Sequence, residues 1–422
     1  MQEAFLQFLW RYQKFKSPKL TTSSGESLQV LQPGFWNATA GPDFLHAKIR
    51  VGEVHWTGHV EVHRKSSDWW HHRHHEDPNY DAVVLHVVWE HDGLVFSPSG
   101  APIPTLILPE FVSRRWLDNY QMHFVSRPMG IPCAASIRYF PDAQWDSWKE
   151  KLLIERLDQK TAWIFEQLQQ TQNDWEAVLF RLLARSFGLD TNGSAFAEVA
   201  QYFPFSVFRK LSRLTDKEAL LLGSSSLIPQ TPSDAYALEL QTSFTYLQRK
   251  FQLQEWSPPT FSFARLRPSN FPTVRWALLA ALYHKIPQPF RKLVEAQSPE
   301  DLSEFKSVKA SEYWNTHFNF GRSSPMRIKK ISRSFLDLLL INCFIPMRFA
   351  FFKSQLGFEP EQHLDWYRLL KAEKNRVVTL FEEVKVPIES AACSQGLLQL
   401  YRVYCRPKKC LSCAVGFHLM HE

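Results

Sequence analysis

No stretch of this 422-residue chain is an uninterrupted apolar run long enough to cross a bilayer. The nearest, FLDLLLINCFIPMRFAFF (335 to 352), is broken by Asp337, Asn342, Pro346 and Arg348, and predicts a buried helix pair or a helix and turn. The N-terminal MQEAFLQFLWRYQKFK carries Glu3 and has neither an apolar core region nor a small-residue cleavage site. No export signal is read there, so a cytoplasmic location is expected, with no membrane partner. A reducing compartment leaves the six cysteines without a disulfide framework. Repeats of fixed period and low-complexity runs are also missing. With 45% hydrophobic and 22% charged residues the chain is too apolar to be disordered, and its length allows two or three domains.

What the chain has in excess is aromatic residues and positive charge. The formal net charge of +7 and a pI near 9.0 favour an anionic partner such as DNA or RNA, although solvated lysines would give the same balance. Oligomeric state is not encoded in any pattern here.

Periodicity divides the chain. Residues 1–140 read as a helix over about 2–14, strands at SLQVLQPG, FLHAKIRVG and GHVEVHRK, a short helix or turn at SSDWWHHRHH, and a buried strand at DAVVLHVVWEHD. Residues 141–385 are dominated by helical patterns. A long amphipathic helix follows Trp145, and Asp174 caps a second that Gly188 can end; more are predicted at 195–203, 216–222, 233–251, 272–284, 333–344 and 360–384. Residues 386–422 form a cysteine-rich third segment. The fold class is α+β: an αβββαβ mixed sheet, then a larger helical domain, then a cysteine knuckle.

Strict alternation in GHVEVHRK puts Val60 and Val62 on one face of a strand and Glu61 and His63 on the other. A turn near VHWTGH would return the chain and bring Asp43, at the start of the preceding strand, beside Glu61. Two carboxylates on adjacent strands with a polar base two residues on can hold hard cations and activate water for phosphodiester cleavage. In Pro42, Asp43, Glu61 and position 63, and in the order αβββαβ, the chain resembles the PD-(D/E)XK nuclease superfamily. The resemblance implies Mg or Mn at Asp43 and Glu61, with Glu3 as an additional acid. It departs at His63, where the superfamily has Lys; histidine can act as base or ligand but is a poorer fixed positive charge.

Four histidines lie within residues 71–75. His72 and His74 share a face of an extended segment, His71 and His75 a face of a helix, and with Asp68 and Asp77 they can bind zinc or manganese or form a solvated turn. His86, inside VVLHVVW, reads as a hydrogen-bonded core histidine that a neighbouring carboxylate could draw into the site.

AGPDF, GHVEVH, SSDW, HVVWEHD, RLRPSNFPT, YWNTHFNFG and CRPKKCLSCAVG, in this order along almost the whole chain, resemble a bacterial family carried as domain of unknown function 2851. That resemblance implies shared architecture and carries no activity with it.

At the C-terminus Cys393, Cys405, Cys410 and Cys413 follow a C-x11-C-x4-C-x2-C spacing. C-x2-C is a common way for one turn to offer two thiolates, so zinc or an iron–sulfur cluster is expected on these four. Cys133 and Cys343 read as ordinary buried thiols. Arg402, Arg406, Lys408 and Lys409 beside the knuckle, and Arg265 and Arg267 in a proline-bounded loop, are candidates for phosphate contacts or for solvated charge. Three functions fit: a metal-dependent nuclease, a catalytically inactive nucleic-acid-binding protein, and a metal hydrolase or scaffold of another substrate.

Overall fold

Period-two alternation builds one mixed sheet, as the sequence predicts, and the α+β class holds. The computed structural model describes residues 2–16, 20–37, 39–125, 130–356 and 358–422. They form two units, one comprising Met1–Trp145, Glu383–Val386 and Leu400–Glu422, the other Asp146–Glu382 and Pro387–Gln399.

In the first unit the strands are β1 (Leu28–Gln32), β2 (Phe35–Trp36), β3 (Phe44–Val51), β4 (Val54–Lys65), β5 (Val83–Glu90) and β6 (Thr105–Ile107). Their order is β1-β3-β4-β5-β6, with β2 also paired to β3. The ladders of β1, β2 and β4 with β3 are antiparallel; those of β4 with β5 and β5 with β6 are parallel. The expected turn near VHWTGH lies earlier. Gly52 takes the left-handed conformation a tight hairpin needs (φ 57°), Val51 pairs with Val54, and β4 runs straight through VHWTGH. Gly58 lets β4 lie close to the chain entering β5: a Cβ there would stand 2.4 Å from both the Ala82 carbonyl oxygen and Val84 Cγ1.

Helix α1 (Glu3–Arg11) buries Phe5, Leu6, Phe8, Leu9 and Trp10 against Val60, Val62, Leu85 and Val87 of the sheet. A parallel ladder needs a crossover. Between β4 and β5 it runs through α2 (Asp68–His71) and two 3-10 turns, His74–Glu76 and Pro78–Tyr80. The histidine-rich segment is therefore that crossover. A small apolar cluster of Trp69, Tyr80, Val83, Val95 and Ile103 anchors it. Further on, α3 (Arg114–Tyr120) stacks Tyr120 on Phe5, ring centroids 4.3 Å apart. Leu400–Glu422 belongs to this unit, and Met420 sits in its core. The segment expected to stand alone, 386–422, is thus shared between the units.

The second unit is helical around one large apolar cluster. Along the chain come α4 (Asp142–Gln170), whose first residues precede the unit's start, α5 (Trp175–Phe187) and α6 (Leu189–Tyr202). The Asp174 carboxylate accepts from the Ala177 amide at 3.1 Å, the predicted cap. α5 ends at Phe187 with Gly188 as its C-cap, as predicted; Gly188 keeps φ −69°, Leu189 takes φ 55°, and α6 starts six residues before the predicted 195. The predicted helix 360–384 is two, Glu361–Leu369 and Arg376–Glu383. Arg333–Lys353 is continuous rather than a pair, because a π-helical turn at Leu340–Phe344 takes up Pro346. By length and composition this helix could cross a membrane, but 72% of its apolar window is buried inside the unit.

Candidate metal centre

Period two fixes the inner wall of the site. Glu61 and His63 project from the same face of β4, opposite Val60 and Val62, and in the parallel register Glu61 pairs with His86 of β5. All three side chains are buried. The crossover then passes over this face. Arg73 adopts a left-handed conformation (φ 59°), which turns the chain between His72 and His74. His74 stacks on Tyr80 with centroids 3.8 Å apart and lies nearly parallel to His63, while Trp69 packs edge-on to it.

The convergence is tight. One ring nitrogen each from His63, His72 and His74 falls in a group whose members all lie within 4.8 Å of one another, the one such group of three or more metal-ligand side chains among the described residues. Glu61 Oε1 lies 3.4 Å from both His63 Nε2 and His74 Nε2. His63 is held from both sides, Nδ1 at 2.9 Å from His86 Nε2 and Nε2 at 3.1 Å from His72 Nδ1. His86 is thus the core histidine that orients His63, and His72 is the exposed member.

The carboxylates interlock. Asp43 Oδ2 accepts from the Val62 amide at 3.1 Å, and Glu61 Oε2 accepts from the Asp43 amide at 3.0 Å. Gln7, one turn after Glu3 on α1, donates to Asp43 Oδ1 at 2.8 Å and to Glu3 Oε1 at 3.4 Å. Both Asp43 oxygens and one oxygen of Glu61 are therefore committed to protein donors. The other oxygen of Glu61 faces imidazoles.

Electrostatics sharpen the picture. Burial, reinforced by the Glu61 charge, pushes Asp43 up to about 7 against the Gln7 and Val62 hydrogen bonds. Burial pushes Glu61 up to about 8, partly opposed by the Asp43 amide and aided by Glu3. Glu3 rises to about 7, by burial and then by the Asp43 charge. Burial and the facing His74 and His72 push His63 down to about 3, so it is neutral. Burial also lowers His74. His74 Nε2 is buried and, despite its distance from Glu61, in no hydrogen-bond geometry. Imidazole nitrogens and a carboxyl oxygen that point at one another offer lone pairs to a common point, and a cation there would take the place of the Glu61 proton. Three nitrogens and one oxygen suit zinc or manganese; magnesium prefers an all-oxygen shell.

Other candidates sit elsewhere. Asp77 accepts from the Asn79 amide at 2.9 Å and caps the turn that follows. His71 is exposed, 3.6 Å from Asp68. Arg265 and Arg267 are exposed in the second unit; Arg402, Arg406, Lys408 and Lys409 are exposed in the first. Among the cysteines, Cys405, Cys410 and Cys413 line one small cavity of the first unit together with Cys133. Cys393 is on Ala391–Gln399 of the second unit, where the Ser390 hydroxyl donates to its sulfur at 3.8 Å. Sequence reasoning missed Gln7, Tyr80 and Cys133. Only Gln7 had a local signal, its spacing of four from Glu3.

No curated protein and no solved structure matches the chain. A family model described as protein of unknown function (DUF2851) matches residues 3–376, and the chain belongs to that family.

Proposed function

We propose that the chain is a metal-dependent phosphodiesterase of nuclease type, acting on DNA or RNA, with zinc or manganese held by Glu61, His63, His72 and His74. The observation that carries this reading is the grouping of three imidazole nitrogens within 4.8 Å, with Glu61 Oε1 3.4 Å from two of those rings. Bound there, the metal would polarise a phosphoryl oxygen and lower the pKa of water. The side chains divide the remaining work. His63 is a ligand in place of the lysine of the PD-(D/E)XK pattern, and His86 fixes its ring. Asp43 and Glu3, linked through Gln7, are the carboxylates placed to accept a proton from the attacking water.

The substrate class is supported by the basic net charge and by exposed aromatic side chains on the strand paired with the one that Asp43 precedes. Trp36 pairs with Phe44, the residue after Asp43; Phe35 and Trp36 are exposed, and the Arg11 guanidinium lies 4.9 Å from the Trp36 ring. Such a platform stacks unpaired bases and attracts phosphate.

The test is cleavage of labelled single- and double-stranded DNA and RNA after chelation and readdition of zinc, manganese or magnesium. Zinc- or manganese-dependent cleavage that disappears in Glu61→Gln and His74→Ala is expected; cleavage untouched by both substitutions would sink the assignment. The neutral His63 favours a second reading, a catalytically inactive nucleic-acid-binding protein. Salt-sensitive binding without cleavage under any metal would select it.

A further inference from the structure

The second group of ligand-type side chains in the first unit is made of sulfur. Cys133, Cys405, Cys410 and Cys413 are all buried, none is in a disulfide, and together with Pro132, Tyr404 and Gly416 they line one small cavity. Four thiols lining one space is unlike ordinary buried cysteine, which packs singly as a small apolar side chain. Cys343, in the second unit, shows the ordinary case: it lies among apolar helices and contacts the Ser186 hydroxyl at 2.8 Å.

The backbone around the cavity is shaped to hold the thiols. Leu400–Cys405 is a π-helical turn that delivers Cys405, and Cys410–Ser412 is a 3-10 turn that presents Cys410 and Cys413. A Cβ on Gly416 would fall 1.9 Å from the Cys410 carbonyl oxygen, so the last helix (Ala414–His421) packs against this turn with no room for a side chain. Exposed Arg406, Lys408 and Lys409 occupy the link between Cys405 and Cys410 and can offset the charge of deprotonated sulfurs.

Spacing decides the kind of occupant. On a single tetrahedral zinc, with Zn–S bonds of about 2.3 Å, thiolates stand about 3.8 Å apart. No three of these four sulfurs lie within 4.8 Å of one another, unlike the nitrogens of the histidine group. A polynuclear centre places iron and sulfide between its thiolates and holds them further apart.

We propose that Cys133, Cys405, Cys410 and Cys413 ligate an iron–sulfur cluster. Cys393 has no part in it. The cluster ties residue 133 to the C-terminal turn and so pins the ends of the first unit's chain, independently of the histidine centre and its metal.

The test uses the full chain produced with ample iron and purified without oxygen. Iron and acid-labile sulfide in equal amounts, with a broad visible absorption band bleached by oxidant, are the expected result. Serine substitution at Cys133, Cys405, Cys410 or Cys413 should remove most of both, while Cys393→Ser and Cys343→Ser keep them at the unsubstituted level. The measurement on the unsubstituted chain needs no variant, so poor folding of a substituted one cannot hide the answer. Zinc in place of iron would overturn the cluster. Loss of iron in Cys393→Ser but not in Cys133→Ser would overturn the ligand set, and absence of both metals at these thiols would overturn the site.

Discussion

Each unit buries a glutamate, and the two are treated in opposite ways. In the helical unit Glu218 Oε2 accepts from the Tyr236 hydroxyl at 2.6 Å and from Trp314 Nε1 at 3.0 Å. Burial raises its pKa and these donors oppose the rise, so Oε2 is answered by donors of the fold, while Oε1 is buried without a hydrogen-bond partner. In the sheet unit Glu61 gives one oxygen to the Asp43 amide and turns the other toward two imidazoles, one of which has a nitrogen without a hydrogen-bond partner. A buried carboxyl that meets hydroxyl and N–H donors serves the fold. One that collects lone pairs around a common point is arranged for something positive.

The largest break in this comparison should come from removing a ligand. Glu61→Gln or His74→Ala is expected to lower zinc affinity, and any nuclease activity, by more than about 100-fold, read by metal content and by cleavage assays. Unchanged metal content in both variants would place Glu61 in the same structural class as Glu218.

Proton competition gives the next effect. Without metal, Glu61 is held at about 8 and Asp43 at about 7, so both are largely protonated at pH 6. A cation must displace those protons, so metal affinity should rise with pH across 6 to 8 by close to tenfold per unit for each proton displaced, then level off. Titration calorimetry at several pH values reads this directly. Stability of the metal-free chain should move the other way. These acids have folded pKa values above their unfolded ones, so their penalty is absent below about pH 4, grows as pH rises through the window and is complete above about 8. His63, lowered to about 3, has the opposite sign and adds its penalty only as pH falls below about 6.5. Denaturation midpoints measured between pH 6.5 and 8 exclude the His63 effect, and comparison with Glu61→Gln separates the carboxyls of the site from Glu176, which burial also raises to about 7. A flat profile there would show that they are not desolvated.

Smaller effects belong to the surface and to the helical unit. Removing a ring at Phe35 or Trp36 should weaken binding of single-stranded nucleic acid by about 1 to 3 kcal/mol and leave folding unchanged, as measured by fluorescence anisotropy and melting temperature. Glu218→Gln, which preserves shape and an acceptor, should change stability by less than about 1 kcal/mol in a denaturant titration. A large loss there would mean that the carboxylate charge is needed and that the contrast between the units is weaker than drawn.

How much of this was legible in the sequence depends on how far apart the partners lie along the chain. Alternation alone put Glu61 and His63 on one face, and the order of elements put Asp43 on the adjacent strand. The Asp174 cap was equally local. His72 and His74 were visible as candidates, but their convergence on His63 depends on the left-handed turn at Arg73, which no hydrophobic pattern announces. The two halves of the 360–384 region read as one helix because periodicity carries across the break. Cys133 reads from sequence as an ordinary buried thiol, and its place beside sulfurs about 270 positions later is a property of the tertiary fold. Spacing near the C-terminus pointed instead to Cys393, which the fold places in the other unit.

The assignment of Leu400–Glu422 to the sheet unit also has a consequence for synthesis. The sheet strands leave the ribosome well before Met420 and the turn bearing Cys405, Cys410 and Cys413, which follow the whole helical unit. At about 5 to 20 residues per second, the roughly 270 residues between Cys133 and Cys405 take about 15 to 55 s to make. Through that interval the nascent sheet has an open seam and an unmatched thiol, and the helical unit can fold in full. Of the two units, the one whose strands emerge first is completed after the other.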